Sequence, residues 1–374
     1  DSHMYPSIDA MSAFDQQKSD KPYFLCEYAH SMGNAMGNLP EYWDYIENKS
    51  QRMIGACIWD WTDQALNKSG EPENNFYYGG QFGDIPNDGD FSCNGLTTPD
   101  RRITAKLTEV KKVYQYIKFR PLALNCGRIE ITNKYDFTDL HDFYLAWDVL
   151  RNGNVVESGK IVDLALAPDE KAVVEVPYKT KVENNSEYFL NLYFKTKHET
   201  KSFDPDHIVA SEQFALNSQP SVSTVNLQDM GELKIIDTDN LLTIIGYNFN
   251  ASFSLNNASL VSLVYGGKEI MSGDKGLSFN WYRSVNNDTY SDLNYYETTS
   301  EKVDVIYHVD ASRKYITVAA NLKVTIHNPS PVIIDHTLKY RIYANGTIDI
   351  DAGFVKLEGA SLIRRMGLQL VLPH

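Results

Sequence analysis

The segment Phe24-Leu25-Cys26-Glu27-Tyr28-Ala29-His30-Ser31-Met32-Gly33-Asn34 constrains this chain more than any other, because it sets a carboxylate directly behind a short apolar run. Pro22 opens the segment, and Tyr23 to Cys26 are apolar without alternation, the pattern of a parallel strand covered on both faces. Glu27 then falls at the carboxyl end of that strand, and in a closed parallel barrel the carboxyl ends carry the chemistry. Position alone also admits a second reading, a buried acid paired with a structural cation or with His30. Gly33, Asn34 and Gly37 read as the loop that follows.

The next residues supply context for Glu27. Pro40 to Asn48 carry apolar residues at Tyr42, Trp43, Tyr45 and Ile46, a spacing that predicts a short helix with one buried face. Met53-Ile54-Gly55-Ala56-Cys57-Ile58-Trp59 is a second apolar run, closed by Asp60-Trp61-Thr62-Asp63-Gln64. Strand, helix and strand make one βαβ unit. Both strands then end at one rim, where a carboxylate stands beside indole faces. Aromatic faces next to acids suit a sugar ring, so the residues alone point to a glycosidase.

Three separated motifs carry a more specific likeness: Cys26 to Asn34 (CEYAHSMGN), Ile58 to Leu66 (IWDWTDQAL) and Tyr78 to Leu96 (YGGQFGDIPNDGDFSCNGL). In this order and spacing they resemble the large bacterial β-galactosidases of glycoside hydrolase family 2. The related β-glucuronidases and β-mannosidases share only the Glu-Tyr core and a tryptophan strand, so His30 and the Asp-Trp-Thr-Asp-Gln continuation favour the galactosidases. The likeness is strong over the first 120 residues and rests mainly on domain order beyond them.

The resemblance implies a multidomain α/β plus all-β chain. It would hold the C-terminal part of a TIM (β/α)8 barrel at 1–120, an immunoglobulin-like β-sandwich at 121–217, and the start of a large galactosidase-type β-sandwich at 218–374. It further implies hydrolysis of terminal β-D-galactosides with retention, which requires two carboxyl groups roughly 5 to 5.5 Å apart. Glu27 matches the family's nucleophile, and Tyr5 matches the tyrosine beside it. His30, Trp59 and Asn94 match sugar contacts. The backbone oxygen of Phe91 and the side-chain oxygen of Asn94 match two ligands of a sodium ion, and oxygen ligands suit a hard cation. The acid/base glutamate, the third sodium ligand and the magnesium ligands would all lie upstream of residue 1. Implied partners are β-galactoside oligosaccharides and further copies of the parent, as a homo-oligomer. Each assignment has a plainer counterpart: a loose terminal tyrosine at Tyr5, a core histidine at His30, plain barrel core at Trp59, and turn residues at Phe91 and Asn94.

Downstream the pattern changes. Trp61 to Ile103 has little periodicity and much Gly, Pro, Asn and Asp, and a long loop of this kind inside a barrel is usually functional. Thr104 to Gln115 reads as the last barrel helix, capped by Thr104, with Leu107, Val110, Val113 and Tyr114 on one face and lysines on the other. Period-two alternation then predicts strands at Arg128–Thr132, Phe143–Leu150, Val155–Val162, Ala172–Val176, Tyr188–Phe194 and Val209–Leu216, with a hairpin turn at Asn152-Gly153. Asn217 to Gln228 reads as a linker. Further strands are expected at Leu241–Ile245, Leu260–Tyr265, Val303–His308, Tyr315–His327, Val332–Tyr343 and Gly367–Leu372, with a second Asn-Gly turn at Asn345-Gly346.

Composition narrows the partners. The net charge is −14 with no basic cluster, which disfavours nucleic acid and anionic membrane surfaces and leaves a neutral substrate compatible. No apolar run nears the roughly 20 residues of a membrane span, so a soluble chain is expected. The four cysteines, Cys26, Cys57, Cys93 and Cys126, form no CxxC pair and read as buried free thiols. Neither cytoplasm nor periplasm is excluded by them. Asp1-Ser2-His3-Met4 looks partly like an expression remnant, yet Met4-Tyr5-Pro6 also matches the end of the family's sixth barrel strand. The chain is expected to be an excerpt of a longer polypeptide, holding about two of the eight barrel strands.

If the catalytic parts are set aside, the same residues fit a carbohydrate-binding or interaction fragment. Within enzymes the runner-up is a β-glucuronidase or β-mannosidase of the same family.

Overall fold

The computed structural model describes all residues except 34, 184–185, 217–224, 274–275, 282–296, 328, 361–362, 364 and 374. Asn34 and most of the expected linker therefore lie outside the described residues. The chain divides into two compact units, Asp1–Ser223 and Thr224–His374.

The first unit opens with three parallel strands in the order β1-β2-β3: β1 (Ser2–Met4), β2 (Tyr23–Tyr28) and β3 (Met53–Ile58). That is one strand more than expected, because β1 is three residues long and carries no readable periodicity. Helix α1 (Ile8–Asp15) follows β1; Ser7 caps it, accepting the amide of Ala10 at 3.2 Å, and Asp9 in its first turn suits the helix dipole. Helix α2 (Leu39–Asn48) joins β2 to β3, with Pro40 in its first turn, where a missing N–H costs nothing. It buries Leu39, Tyr45 and Ile46.

Only one face of β2 is covered. Tyr23 and Leu25 are fully buried and Tyr28 nearly so, packed with Met11, Leu39 and Val110 on the helix side, while Cys26 on the other face is exposed. The unbroken apolar run suggested cover on both faces; with three strands present the inner face of the sheet is open, and Ile54 on β3 is 69% exposed. The expectation of buried thiols is also corrected: Cys26 and Cys57 on this sheet are exposed, Cys126 in the 3-10 turn Leu124–Cys126 is exposed as well, and Cys93 is half-buried.

The long loop after β3 contains a two-stranded hairpin, β4 (Leu66–Asn67) with β5 (Phe76–Tyr77), and a single 3-10 turn at Gly89–Ser92. Helix α3 (Ala105–Val113) follows. Thr104 stands at its N-cap position but does not cap it; its hydroxyl donates instead to the Leu96 carbonyl at 2.6 Å, tying the loop to the helix. Lys111 and Lys112 in the last turn suit the dipole. The Trp43 and Tyr114 rings stack at 4.4 Å, locking α2 against α3.

Antiparallel strands complete this unit. The first sheet runs β10-β7-β6, from β6 (Ile117–Ala123), β7 (Arg128–Asn133) and β10 (Lys171–Glu175). The second runs β12-β11-β8-β9, from β8 (Phe143–Arg151), β9 (Asn154–Ile161), β11 (Tyr188–Thr196) and β12 (Ile208–Ala215). Alternating residues of both sheets, among them Ile129, Ile131, Leu145, Val149, Leu190 and Phe194, form one core. Asn152 and Gly153 turn β8 into β9 with φ of 49° and 81°, both left-handed, as a tight hairpin requires. Ion pairs bind this part to the helices: Lys134 Nζ to Glu47 Oε1 at 2.6 Å and Lys112 Nζ to Glu212 Oε2 at 3.0 Å.

The second unit has a five-stranded antiparallel sheet: β13 (Lys234–Asp237), β14 (Leu241–Gly246), β15 (Phe249–Ser254), β16 (Ser259–Tyr265) and β17 (Lys268–Glu269). After β18 (Ser278–Asn280) comes a four-stranded sheet of long strands: β19 (Thr298–Val309), β20 (Tyr315–Ile326), β21 (Val332–Tyr343) and β22 (Ile348–Glu358). The last strand, β23 (Gly367–Gln369), pairs with β18 and is shorter than its apolar run. Residues of the two larger sheets, including Leu242, Phe253, Val318 and Tyr340, share a core. No helix among the described residues is long and apolar enough to cross a membrane.

Candidate active site

The carboxyl ends of the three parallel strands meet at one rim. Glu27 lies near the end of β2 and is half-buried. Just beyond β1, the Tyr5 amide donates to the Glu27 carbonyl at 3.0 Å, and Tyr5 takes a left-handed φ of 48°, costly for an aromatic residue. The Tyr5 hydroxyl donates to Glu27 Oε2 at 2.8 Å. Burial raises the Tyr5 phenol pKa, and the bond to Glu27, the Glu27 charge and the Asp60 charge raise it further. The phenol therefore stays protonated and remains a donor to the carboxylate.

Main-chain bonds fix the neighbouring loops. The Trp59 amide donates to the Tyr28 carbonyl at 3.2 Å, and the Ser31 amide donates to the Trp59 carbonyl at 2.8 Å, so the ends of β2 and β3 are tied together. His30 packs between two rings, edge-on to Tyr5 at 5.9 Å and tilted against Phe91 at 5.8 Å. Trp59 is 37% exposed at the same rim and joins Asp60 through a cis peptide.

The loop from Gly89 to Thr97 docks on the end of β3. The Asp60 amide donates to the Asn94 carbonyl at 2.9 Å, and the Leu96 amide returns a bond to the Asp60 carbonyl at 3.0 Å. Gly95 allows this approach: a Cβ there would stand 2.0 Å from the Asp63 nitrogen. Asn94 is buried. Its Nδ2 donates to the Phe91 carbonyl at 3.1 Å, while its Oδ1 is buried with no hydrogen-bond partner among the described residues. A buried acceptor without a donor is costly, and Oδ1 is open to a cation or a donor; the side of the amide that faces the Phe91 carbonyl is Nδ2. No group of three or more His, Cys, Asp or Glu among the described residues is placed to hold a metal ion.

The structure thus joins Tyr5, Glu27, His30 and Phe91 by direct contacts, and links Trp59 to Asn94 through Asp60. The other local carboxylates have partners in their own loops. Asp60 Oδ2 accepts from Gln64 Nε2 at 2.6 Å, Asp63 Oδ1 accepts from the Gly95 amide at 2.7 Å, and Asp84 accepts from the amides of Gly80 and Phe82. The bond from Gly80 chiefly holds the Asp84 carboxyl below its usual pKa.

Sequence reasoning missed Lys106. It counted the lysines of the last helix as a solvent face, yet the Lys106 Nζ turns inward and donates to the Ser31 carbonyl at 2.5 Å. Its place just inside the helix start, where a cation opposes the dipole, was the available signal.

Three family descriptions match the chain in succession: the TIM barrel domain of family 2 glycosyl hydrolases over 1–119, domain 4 of β-galactosidase over 129–217, and the β-galactosidase small chain over 245–374. A β-galactosidase of Priestia megaterium is 30% identical over 377 residues, covering 98% of this chain and 36% of the relative. One from Psychromonas ingrahamii is 29% identical over 388 residues, covering 98% and 37%. One from Leuconostoc mesenteroides is 36% identical over 231 residues, covering 60% and 22%. A barrel segment with an acid at a strand's carboxyl end, followed by antiparallel β units matched in this order, is the build of glycosyl hydrolase family 2. The chain belongs to the β-galactosidases of that family. It spans little more than a third of the length of the Priestia and Psychromonas relatives.

Proposed function

We propose that this chain carries the nucleophile side of a retaining glycosidase site that cleaves terminal non-reducing β-D-galactosides. The bond from the Tyr5 hydroxyl to Glu27 Oε2 at 2.8 Å carries the reading, since it holds a strand-end carboxylate in place for attack on an anomeric carbon. In the first step a Glu27 oxygen bonds to the anomeric carbon as the glycosidic oxygen leaves with a proton from a second carboxyl group. Water then releases the sugar. We assign that second carboxyl to a part of the parent protein outside these residues, because Asp60, Asp63 and Asp84 are engaged in holding loops.

His30 and Trp59 would contact the sugar, the indole lying under its apolar face. A sodium ion would satisfy the orphaned Asn94 Oδ1; sharing it with the Phe91 carbonyl requires the Asn94 amide to be turned over, since Nδ2 now donates to that carbonyl, and the ion would supply a coordination position for a sugar hydroxyl. Magnesium ligands are assigned outside this chain. We read the antiparallel part of the first unit as an immunoglobulin-like domain near 121–217, the second unit as part of the large galactosidase-type sandwich, and the parent as a homo-oligomer.

In the full-length parent, Glu27→Gln preserves shape and removes the attacking charge, so turnover of an aryl β-galactoside should fall by several orders of magnitude. A mechanism-based fluorosugar should label Glu27, as read by mass spectrometry. Label on a different carboxylate refutes the assignment. Faster turnover of β-glucuronides or β-mannosides transfers the site to another family 2 activity, and binding without turnover makes the chain a carbohydrate-binding part.

A further inference from the structure

We infer that Lys106 is a positioning residue for the sugar-facing rim, holding the His30–Ser31 turn and the end of β3 in one arrangement; the kinetic part of this inference rests on the function proposed above. Ser31 is fully buried, and its backbone works in both directions: its amide donates to the Trp59 carbonyl at 2.8 Å, and its carbonyl accepts the Lys106 ammonium at 2.5 Å. One peptide neighbourhood therefore connects the last barrel helix, the turn that carries His30 and the strand end that carries Trp59. The two bonds span 75 and 28 residues of sequence, so no local turn preference can replace them.

The surrounding charges fit a fixed ammonium. Burial pulls the Lys106 pKa down, while the Asp63 and Asp60 carboxylates oppose that fall. The Asp60 Oδ1 is buried with no hydrogen-bond partner among the described residues, and Gln64 serves only the other oxygen. A lysine turned to solvent would withdraw the positive charge that the Asp63 and Asp60 carboxylates favour inside the site. The role is positional, because the Lys106 ammonium bonds to the main chain of Ser31, which takes no part in the proposed chemistry.

The test uses Lys106→Met, which keeps length and loses the charge, and Lys106→Arg, which keeps the charge and a donor. In the full-length protein, amide hydrogen exchange of peptides covering residues 28–33 and 58–62 should quicken about tenfold in the Met variant, the order set by losing a charge-assisted bond, and recover in the Arg variant. With an aryl β-galactoside, KM should rise about tenfold while kcat changes less than threefold, again with recovery in Arg. Unchanged exchange in those two peptides overturns the inference, and so does faster exchange spread over the whole barrel segment with no rescue by Arg, which marks a general loss of packing. A local exchange change in a parent that hydrolyses no galactoside upholds the positioning role and refutes the proposed function instead.

Discussion

Replacing Tyr5 by Phe removes one hydroxyl and nothing else from the proposed nucleophile's surroundings. The lost bond is 2.8 Å long and runs to a carboxylate, a class worth about 1.5–3 kcal/mol. Tyr5 is 43% exposed, so water can take over part of the donation and the lower end applies. About 1.4 kcal/mol is a tenfold change in rate, so kcat/KM of the full-length enzyme on an aryl β-galactoside should fall roughly tenfold, far less than in Glu27→Gln. The phenol gives a second readout by ultraviolet titration. Its pKa in the folded protein is raised, so the folded state holds the proton more tightly than the unfolded chain. The stabilisation is then fully present below the ordinary tyrosine value of about 10 and is lost as pH rises above it. Tyr5→Phe should delete one high-pH tyrosine from the titration. Activity within twofold of the unaltered enzyme, or as low as in Glu27→Gln, would refute the reasoning.

Other perturbations probe separate parts. Trp59→Ala should weaken galactose binding by calorimetry while circular dichroism stays native, since the ring is 37% exposed and its packing contribution is partial; joint loss of fold and binding counts against a sugar platform. Gly95→Ala drives a Cβ to 2.0 Å from the Asp63 nitrogen and 2.2 Å from the Thr62 carbonyl carbon, so the two loops must part at a cost of about 1–3 kcal/mol. Its lowered melting temperature should come with lowered kcat/KM, and an unchanged melting point would contradict the close approach. In the second unit, burial lowers the pKa of His336, whose ring is fully buried and stacked on Phe354. Its Nδ1 meets the Gly353 carbonyl at 3.1 Å, and its Nε2 has no partner among the described residues. The Gly353 carbonyl and the Asp335 charge favour protonation but do not outweigh burial. The unfolded chain then takes up the proton first, so stability is full above about pH 6.5 and is lost as pH falls below it. Melting temperatures between pH 7 and 5 should drop more steeply in the unaltered protein than in His336→Leu, and parallel curves would contradict the linkage.

Much of this architecture was legible because alternation survives wherever one sheet face is buried. The strands from Arg128 to Ala215 lie close to where period two puts them, and β8 alternates in burial along eight of its nine residues. Three-residue β1 is too short to show a period. The Phe249–Ser254 strand does carry one, with buried Phe249, Ala251 and Phe253 alternating with Asn250, Ser252 and Ser254, and it was legible but passed over. Cover misled as well. The run Tyr23 to Cys26 has the composition of a doubly buried strand, yet only the helix side is packed, since composition records what a face tolerates and not which neighbours are present.

The candidate site shows the same division in sharper form. Its residue types were readable, because a carboxylate, a phenol, an imidazole and an indole each have a chemistry of their own. Much of what holds them was not, since apart from the Tyr5 and Lys106 side chains the links are main-chain bonds that any residue can make: Trp59 to Tyr28, Ser31 to Trp59, Asp60 to Asn94, Leu96 to Asp60. A bond of that kind leaves a trace in sequence only where a side chain must be absent. Gly95 is such a place, because its missing Cβ admits the Thr62–Asp63 backbone. The loop motifs on either side of the site therefore constrain each other through one glycine. Moving it would separate Asn94 from Asp60 before any of the chemically recognisable side chains had changed.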